Sequence, residues 1–301
     1  MIQWYPGHMH KAKKEYLKIL PQTDLVIEVL DARIPFSSQN PLLTKLRKDK
    51  PCIKLLNKSD LADKATVSVW QQQLEWDSSV KTLVCNYGDL LTHKLPQLCR
   101  SMIPARDNRS AMIYALITGI PNVGKSTLIN KLAGRSVAKT GNEAALTRLQ
   151  QRVEINSDFM LIDTPGMLWP KIENENSGYR LAATGAIRDT AIDLQAVAGF
   201  IADFLLASYP ALVQRRYGLE NLPDTAIELL DTIAKKRGCI SSGGRVDYEK
   251  VSRLIVSELR KGDLGDICLE TPEMLDRELA ELEIINAEKA AKKAARAGAK
   301  K

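Results

Sequence analysis

Residues 119–126 read GIPNVGKS and match the phosphate-binding pattern G-x-x-x-x-G-K-[ST]. The segment follows a predicted strand and begins a predicted helix, which is the context in which this pattern binds phosphate. Gly119 and Gly124 allow backbone N–H groups to converge on phosphate oxygens, and the helix directs its positive end toward them. We expect Lys125 to reach the outer phosphates and the Ser126 hydroxyl to bind Mg²⁺. The predicted phosphate-binding residues are Asn122, Val123, Gly124, Lys125, Ser126 and Thr127.

A second segment, LIDTPG at 161–166, places an acidic residue at the end of an apolar strand. Asp163 is expected to hold the Mg²⁺ ion, usually through water, and the Gly166 N–H is expected to reach the terminal phosphate. The spacing D-x-x-G is common on its own. Its position after a phosphate loop makes it informative.

A third segment, NKSD at 57–60, has the residue types that recognise guanine. The Asp60 carboxylate can accept two hydrogen bonds from the base, Asn57 can bind the opposite edge, and the Lys58 stem can cover a ring face. Taken alone, these four residues would be a turn with a helix cap in most proteins. The motif is specific here because it follows a strand and accompanies the other two segments.

The order of these motifs along the chain is unusual. In ordinary GTPases the phosphate loop comes first and NKxD last, whereas here NKSD precedes the phosphate loop by about sixty residues. Rejoining the old termini and opening the chain elsewhere preserves which strands are neighbours in the sheet, so a circular permutation keeps the site intact. The DTPG segment is then followed directly by the next domain, to which it can pass the nucleotide state.

Apolar runs alternate with helical patterns through the first 165 residues, which predicts a doubly wound, mostly parallel sheet. The predicted strands cover 24–32, 51–57, 80–86, 112–119 and 159–166, and the predicted helices cover 40–49, 66–76, 91–102 and 125–134. After residue 175 the pattern becomes helical only. We therefore expect a GTPase domain over 1–175, a small all-helical domain over 176–285, and a disordered basic tail over 286–301.

Composition restricts the function further. The chain has 301 residues, a net charge of +7 and five scattered cysteines without a CxxC pair, which argues against structural zinc and disulfides. Basic residues cluster at 8–18 and 287–301. A polyanionic partner such as RNA explains both clusters, although an Ala/Lys tail can also be merely solvated. With no membrane-length apolar run and no recognisable leader, we expect a cytoplasmic monomer that binds neither DNA nor an integral membrane.

The chain resembles the YlqF/RbgA family of circularly permuted GTPases, which assist assembly of the large ribosomal subunit. The resemblance extends over nearly the whole chain and rests on WYPGHMHKAKK at 4–14, DARIP at 31–35, NKSD, GIPNVGKS, DTPGMLWPK at 163–171 and the helical C-terminal part. It implies a GTP-hydrolysing factor that docks on rRNA and ribosomal proteins of a large-subunit precursor in its GTP state and is released by hydrolysis. It also implies slow intrinsic turnover that the ribosomal particle stimulates, and it implies that the helical domain over 176–285 binds RNA or the ribosome.

The same resemblance implies further site residues. Thr147 would be the switch I threonine that binds Mg²⁺, and Cys85 and Asn86 would contact guanine. The chain departs from the family at NEAALT, where Ala145 and Leu146 replace the usual Pro-Gly pair before the threonine. Met167 stands where Ras-like enzymes have a water-orienting Gln.

The resemblance points to His8 as the residue that positions the attacking water in place of that Gln. The alternative is a surface histidine beside a basic cluster. Asn122 could place a K⁺ ion beside the phosphates, as in similar GTPases, or could simply form a turn after Pro121. For the whole chain, the competing functions are an RNA-binding assembly scaffold with a structural nucleotide and a GTPase of tRNA modification or membrane traffic.

Overall fold

A computed structural model describes residues 2–85, 90–103, 112–138 and 151–298, and a six-stranded sheet lies at its centre. The strands follow the order β3-β2-β1-β4-β6-β5, and all neighbours are parallel except β5 and β6. Their bounds are β1 Leu25–Asp31, β2 Cys52–Asn57, β3 Val80–Val84, β4 Ile113–Gly119, β5 Gln151–Asn156 and β6 Phe159–Asp163. Strands β1 and β2 are buried along their whole length, as expected for central parallel strands. The predicted mostly parallel sheet is confirmed.

Strand β5 was not predicted from the sequence. It is the antiparallel edge strand, and only Val153 among its six residues is buried. A polar edge strand with one buried side chain lacks the apolar run that marks the other strands. The hydrophobic pattern therefore could not reveal it.

Helices flank both faces of the sheet in this part of the chain. Met9, Ala12, Tyr16 and Ile19 are the buried residues of the first helix, and their spacing of three to four packs one face on the core. The basic segment at 8–18 is therefore an amphipathic helix with its lysines outside. The helices are α1 Gly7–Ile19, α2 Pro41–Arg47, α3 Lys64–Leu74, α4 Leu90–Met102 and α5 Lys125–Ala133.

The described chain after residue 164 contains helices and no strand. Helix α10 shows why: Asp247 caps its start, Val251, Ile255 and Leu259 bury one face, and Gly262 ends it in a left-handed conformation. These helices are α6 Glu175–Ala183, α7 Leu194–Ser208, α8 Pro210–Tyr217, α9 Ala226–Arg237, α10 Tyr248–Lys261 and α11 Pro272–Gly298.

The last helix differs from the sequence prediction. Residues 286–298, expected to belong to a disordered tail, continue α11 as regular helix. Ala, Lys, Glu and Arg dominate this stretch, and all are strong helix formers. Helix propensity therefore accounts for the helix in this basic segment.

The sheet part and the helical part share a buried polar network. Arg180 of α6 donates to both Glu278 oxygens (2.8 and 2.5 Å) and lies 3.6 Å from Glu270. The Glu270 carboxylate accepts hydrogen bonds from the backbone and hydroxyl of Ser37, which follows β1. Burial raises the pKa of Glu270, while Arg180 and Ser37 lower it. These ionic contacts hold α6 and the start of α11 against the loop after β1.

No single helix in the described ranges is both long and apolar enough to cross a membrane; α7 and α8 reach that length only as a pair bent by 111°. All five cysteines are free and buried.

Candidate nucleotide-binding site

The carboxyl ends of five parallel strands meet at one edge of the sheet, which is where α/β folds bind their ligands. Strand β1 ends at Asp31, β2 at Asn57, β4 at Gly119 and β6 at Asp163, and Cys85 follows β3. The three predicted motifs therefore reach the same edge despite their distance along the chain.

The phosphate loop leaves β4 through an unusual backbone conformation. Gly119 has φ +149°, and a Cβ atom there would overlap the Val29 carbonyl oxygen of the neighbouring strand. Asn122 and Gly124 have φ values of 56° and 98°, and α5 begins at the next residue, Lys125. Left-handed residues before a helix N-terminus turn successive backbone N–H groups toward one point, which forms an anion-binding nest.

Lys125 is buried beneath this loop. Its ammonium group donates to the carbonyl oxygens of Gly119 (3.2 Å) and Ile120 (3.0 Å). Burial lowers the pKa of Lys125 to about 8, while Asp163 raises it. Two neutral carbonyls compensate a buried charge only in part, so a negatively charged ligand in the loop would stabilise this side chain.

The Asp163 carboxylate at the end of β6 is almost fully buried. Neither of its buried carboxylate oxygens accepts a hydrogen bond within the described chain. Burial raises the pKa of Asp163 to about 6, although Lys125 and the nearby Thr164 N–H lower it. A buried carboxylate is retained in this way where it binds a cation. With the half-buried Ser126 on the first turn of α5, the residues fit a Mg²⁺ site.

Gly166 lies directly against the phosphate loop. A Cβ atom at this position would be 3.0 Å from Pro121 Cα and 3.1 Å from Lys125 Nζ. The next residue, Met167, donates its N–H to the Gly119 carbonyl (3.2 Å), and its own carbonyl accepts a hydrogen bond from the Asn40 side chain (2.9 Å). The DTPG segment therefore packs against the phosphate loop and the Lys125 side chain.

The NKSD segment is joined to the phosphate loop by a direct hydrogen bond. The Asn57 side-chain amide donates to the Val123 carbonyl at 2.7 Å. Lys58 adopts a left-handed conformation, with φ 58°, and begins the short 3₁₀ helix Ser59–Leu61. The Ser59 hydroxyl donates to the Cys85 carbonyl at 2.9 Å, which ties this segment to the end of β3. Asp60 is exposed, as a residue that must reach a ligand would be.

The structure describes only some of the remaining predicted site residues. Thr127 is exposed on the first turn of α5, and the Cys85 side chain is buried. Asn86 and the switch threonine Thr147 lie outside the described residues, as do Ala145 and Leu146.

His8 lies on the first turn of α1 and is exposed, with its ring edge-to-face against Trp4 at 6.3 Å between centroids. The neighbouring Met9 sulfur accepts the Leu168 N–H at 3.4 Å. Gln3 exchanges two hydrogen bonds with the Ile172 backbone (2.9 and 3.0 Å). The N-terminal segment that carries His8 is thus fixed along the stretch that follows DTPG.

The Asn122 side chain reaches out of the phosphate loop into the helical part. Its amide donates to the Gly185 carbonyl at 2.8 Å, just after α6. The Arg260 guanidinium of α10 binds the carbonyls of Ala182 (2.9 Å) and Ala183 (3.0 Å) in the same turn. The phosphate loop and α10 therefore both contact this turn, which the sequence did not reveal.

Asp31 and Arg33 of the DARIP segment form a buried ion pair beside the NKSD segment. Arg33 donates to both Asp31 oxygens, at 2.9 and 2.8 Å, and Lys58 donates to the second oxygen at 2.9 Å. Burial alone would raise the pKa of Asp31, but the two cations hold it well below its usual range. Sequence reasoning assigned these two residues no role. The only feature of the sequence that could have indicated this ion pair is the charged residue at the end of an apolar strand.

The sequence of the chain is similar to those of known GTPases. Residues 114–210 match the family described as 50S ribosome-binding GTPase. The chain is 45% identical over 281 residues to ribosome biogenesis GTPase A of Bacillus licheniformis, covering 91% of this chain and 99% of the relative. It is 40% identical over 292 residues to the Bacillus cereus protein of that name, covering 95% and 99%.

Two solved structures have a fold similar to that of this chain. The GDP-bound T. maritima YlqF structure has a TM-score of 0.62 at 28% identity, covering 86% of this chain and 99% of that one. The GNP-bound form has a TM-score of 0.61, also at 28% identity, with coverage of 88% and 99%. By sequence along its length and by the permuted fold, the chain belongs to the ribosome biogenesis GTPase A family.

Proposed function

We propose that this protein hydrolyses GTP as an assembly factor of the large ribosomal subunit, acting in the cytoplasm as a monomer. It docks on rRNA and proteins of the precursor particle in its GTP state and is released when GTP is hydrolysed. The observation that carries the proposal is the hydrogen bond from Asn57 to the Val123 carbonyl. It joins the base-binding segment to the phosphate loop in one site, in a chain whose relatives are named for ribosome biogenesis.

The residues of this chain supply binding and charge compensation. Backbone N–H groups of the phosphate loop and the Lys125 ammonium hold the phosphates, and Asp60 selects guanine. Ser126, Asp163 and Thr147 would hold Mg²⁺, which neutralises charge on the phosphates when it is bound. The Gly166 N–H would sense the terminal phosphate.

Positioning of the attacking water has to come from a residue other than Met167, whose thioether is buried and cannot orient water. His8 is our candidate, because its helix is fixed against Leu168 through Met9. An exposed imidazole on the first helical turn can be ordered by the particle on which the protein docks. Hydrolysis would then be slow in the free protein and fast on the ribosomal precursor.

The docking proposal is tested by co-sedimentation with large-subunit particles in GDP and in a non-hydrolysable GTP analogue. We expect stronger association with the analogue, and stimulation of GTP turnover by the particles. An RNA-binding scaffold with a structural nucleotide would give equal sedimentation in both nucleotides and no stimulation.

The role of His8 is tested with His8→Ala beside His10→Ala, an exposed histidine on the same helix. Only the His8 variant should lose particle-stimulated turnover, by about 100-fold, at unchanged GTP affinity. Equal stimulated rates in both variants would eliminate this role.

A bound K⁺ at Asn122 is the second part of the hydrolysis proposal. Comparison of turnover in K⁺ and Na⁺ buffers tests it. We expect the difference between the two salts to disappear in Asn122→Ala. Equal wild-type rates in both salts would exclude a K⁺ site.

A further inference from the structure

We propose that Asp31 is a positioning residue for guanine-nucleotide binding and that it acts through Lys58. The proposal rests on the guanine-binding function proposed above for the NKSD segment. It assigns a specific purpose to the buried ion pair of the DARIP segment.

The sheet itself places Asp31 beside the base-binding segment. In the parallel pairing of β1 and β2, Asp31 lies opposite Asn57, so Lys58 is the first residue beyond the paired register. The Lys58 ammonium donates to Asp31 Oδ2 at 2.9 Å. The end of the lysine side chain is thereby held at the carboxyl end of β1, the strand next to the one that Lys58 follows.

Asp31 is itself held in one position. Its Oδ1 accepts hydrogen bonds from Arg33 Nε (2.9 Å) and from the Arg33 backbone N–H (3.1 Å), while its Oδ2 accepts one from the other end of the guanidinium at 2.8 Å. The planar guanidinium fixes both carboxylate oxygens and leaves the lysine one direction of approach. We call this fixed carboxylate a template, because it holds the Lys58 ammonium group in one position.

Lys58 needs such a template for two reasons. Its backbone is in the left-handed region, which is unfavourable for a residue with a Cβ and persists only where neighbouring contacts hold it. Its side chain has four rotatable bonds, and it is partly exposed, at 19%. Without an acceptor, the stem would sample many rotamers and would lose entropy each time it covered a purine ring.

The template is also joined to the helical part. Arg33 donates to the Leu259 carbonyl of α10 at 3.2 Å, and its own carbonyl accepts the Leu269 N–H at 2.8 Å. The Ile267 N–H donates to the Leu61 carbonyl at 3.0 Å, at the end of the 3₁₀ helix. Arg33 and the 3₁₀ helix that carries Asp60 therefore both form hydrogen bonds with the chain between α10 and α11.

A double-mutant cycle separates this role from that of an ordinary buried ion pair. GDP affinity and unfolding free energy are measured for the wild type, Asp31→Asn, Lys58→Met and the combined variant. We expect each single variant to weaken GDP binding about tenfold and the combined variant to lose no more than Lys58→Met alone. The matched control is Asp24→Asn at the opposite end of β1, where the carboxylate accepts the Tyr114 N–H. It should leave GDP affinity unchanged.

Asp31→Asn removes the charge partner of the buried Arg33 and could fail to fold. The variant Asp31→Asn/Arg33→Met removes both charges together, which is often tolerated in a buried pair, and still takes the carboxylate from Lys58. It should bind GDP about tenfold more weakly than Arg33→Met alone.

Each alternative outcome has a distinct meaning. A folded Asp31 variant with wild-type GDP affinity, or losses that add in the combined variant, would overturn the role of Asp31. A wild-type protein that binds ADP as tightly as GDP would instead overturn the proposed guanine site.

Discussion

Asp163→Asn is expected to remove a pH dependence from the stability of the nucleotide-free protein. The Asp163 carboxylate is buried at the end of β6, and burial raises its pKa from 3.8 to about 6. The folded chain therefore keeps this proton up to about pH 6, whereas the unfolded chain releases it near about pH 4. The stability that this group contributes is fully present below the unfolded pKa and is lost as the pH rises through the folded pKa.

The size of the effect follows from the pKa difference. About two pKa units correspond to ~3 kcal/mol of unfolding free energy, lost between about pH 4 and pH 6. The attraction of Lys125 is already contained in that pKa. The asparagine variant has no proton to release here, so the wild-type protein should lose ~3 kcal/mol relative to it over this window.

Urea unfolding in EDTA without nucleotide measures the difference, with Asp203→Asn on the exposed face of α7 as the control. The wild type and the control should share one pH profile, and Asp163→Asn should diverge from both. Over the same window Mg²⁺–GDP binding to the wild type should strengthen, because only the carboxylate form of Asp163 attracts the cation. Parallel stability profiles for wild type and Asp163→Asn between about pH 4 and pH 7 would refute the burial argument.

Three further substitutions test the framework of the site. Gly119→Ala should destabilise the protein by about 2–4 kcal/mol in urea unfolding, because its Cβ would overlap a β1 carbonyl oxygen. The control is Gly199→Ala on α7, whose Cβ would meet no atom within 4 Å and which should not destabilise the protein. Arg180→Met should lower the unfolding free energy by about 3–5 kcal/mol at neutral pH and by less at acidic pH, where the carboxylates left unpaired take up protons; equal losses at both pH values would contradict this. Asn40→Ala should slow single-turnover GTP hydrolysis and lower the unfolding free energy by about 1–2 kcal/mol, since it removes the N-cap of α2 and frees the Met167 carbonyl next to Gly166; an unchanged rate would exclude this contribution.

The sequence predicted the parts of the fold that depend on local pattern. Each of the buried parallel strands has an apolar run bounded by turn residues, and the phosphate loop has a spacing set by the geometry of phosphate binding. Strand β5 was missed because its side chains are mostly exposed, and α1 was read as a basic cluster. In α1 the burial of Met9 and Tyr16 follows a helical period that the lysines obscured.

Contacts between distant residues could not be predicted. Arg33 meets the Leu259 carbonyl, 226 positions away, and Asn122 meets Gly185. Both contacts use a backbone carbonyl as acceptor, and every residue has one, so the sequence does not mark the partner. For the same reason, Asp31 resembles any acidic residue at a strand end until the structure shows Lys58 beside it.

The buried network around Glu270 bears on any attempt to transplant the GTPase part into another protein. A graft that stops at the end of the sheet would leave the backbone N–H groups of Phe36 and Ser37 without the Glu270 carboxylate that accepts them. It would also carry Arg33 without its carbonyl acceptor on α10. A chimera therefore has to include the chain through Glu278, because the helical part completes the nucleotide-binding half and is not a detachable accessory.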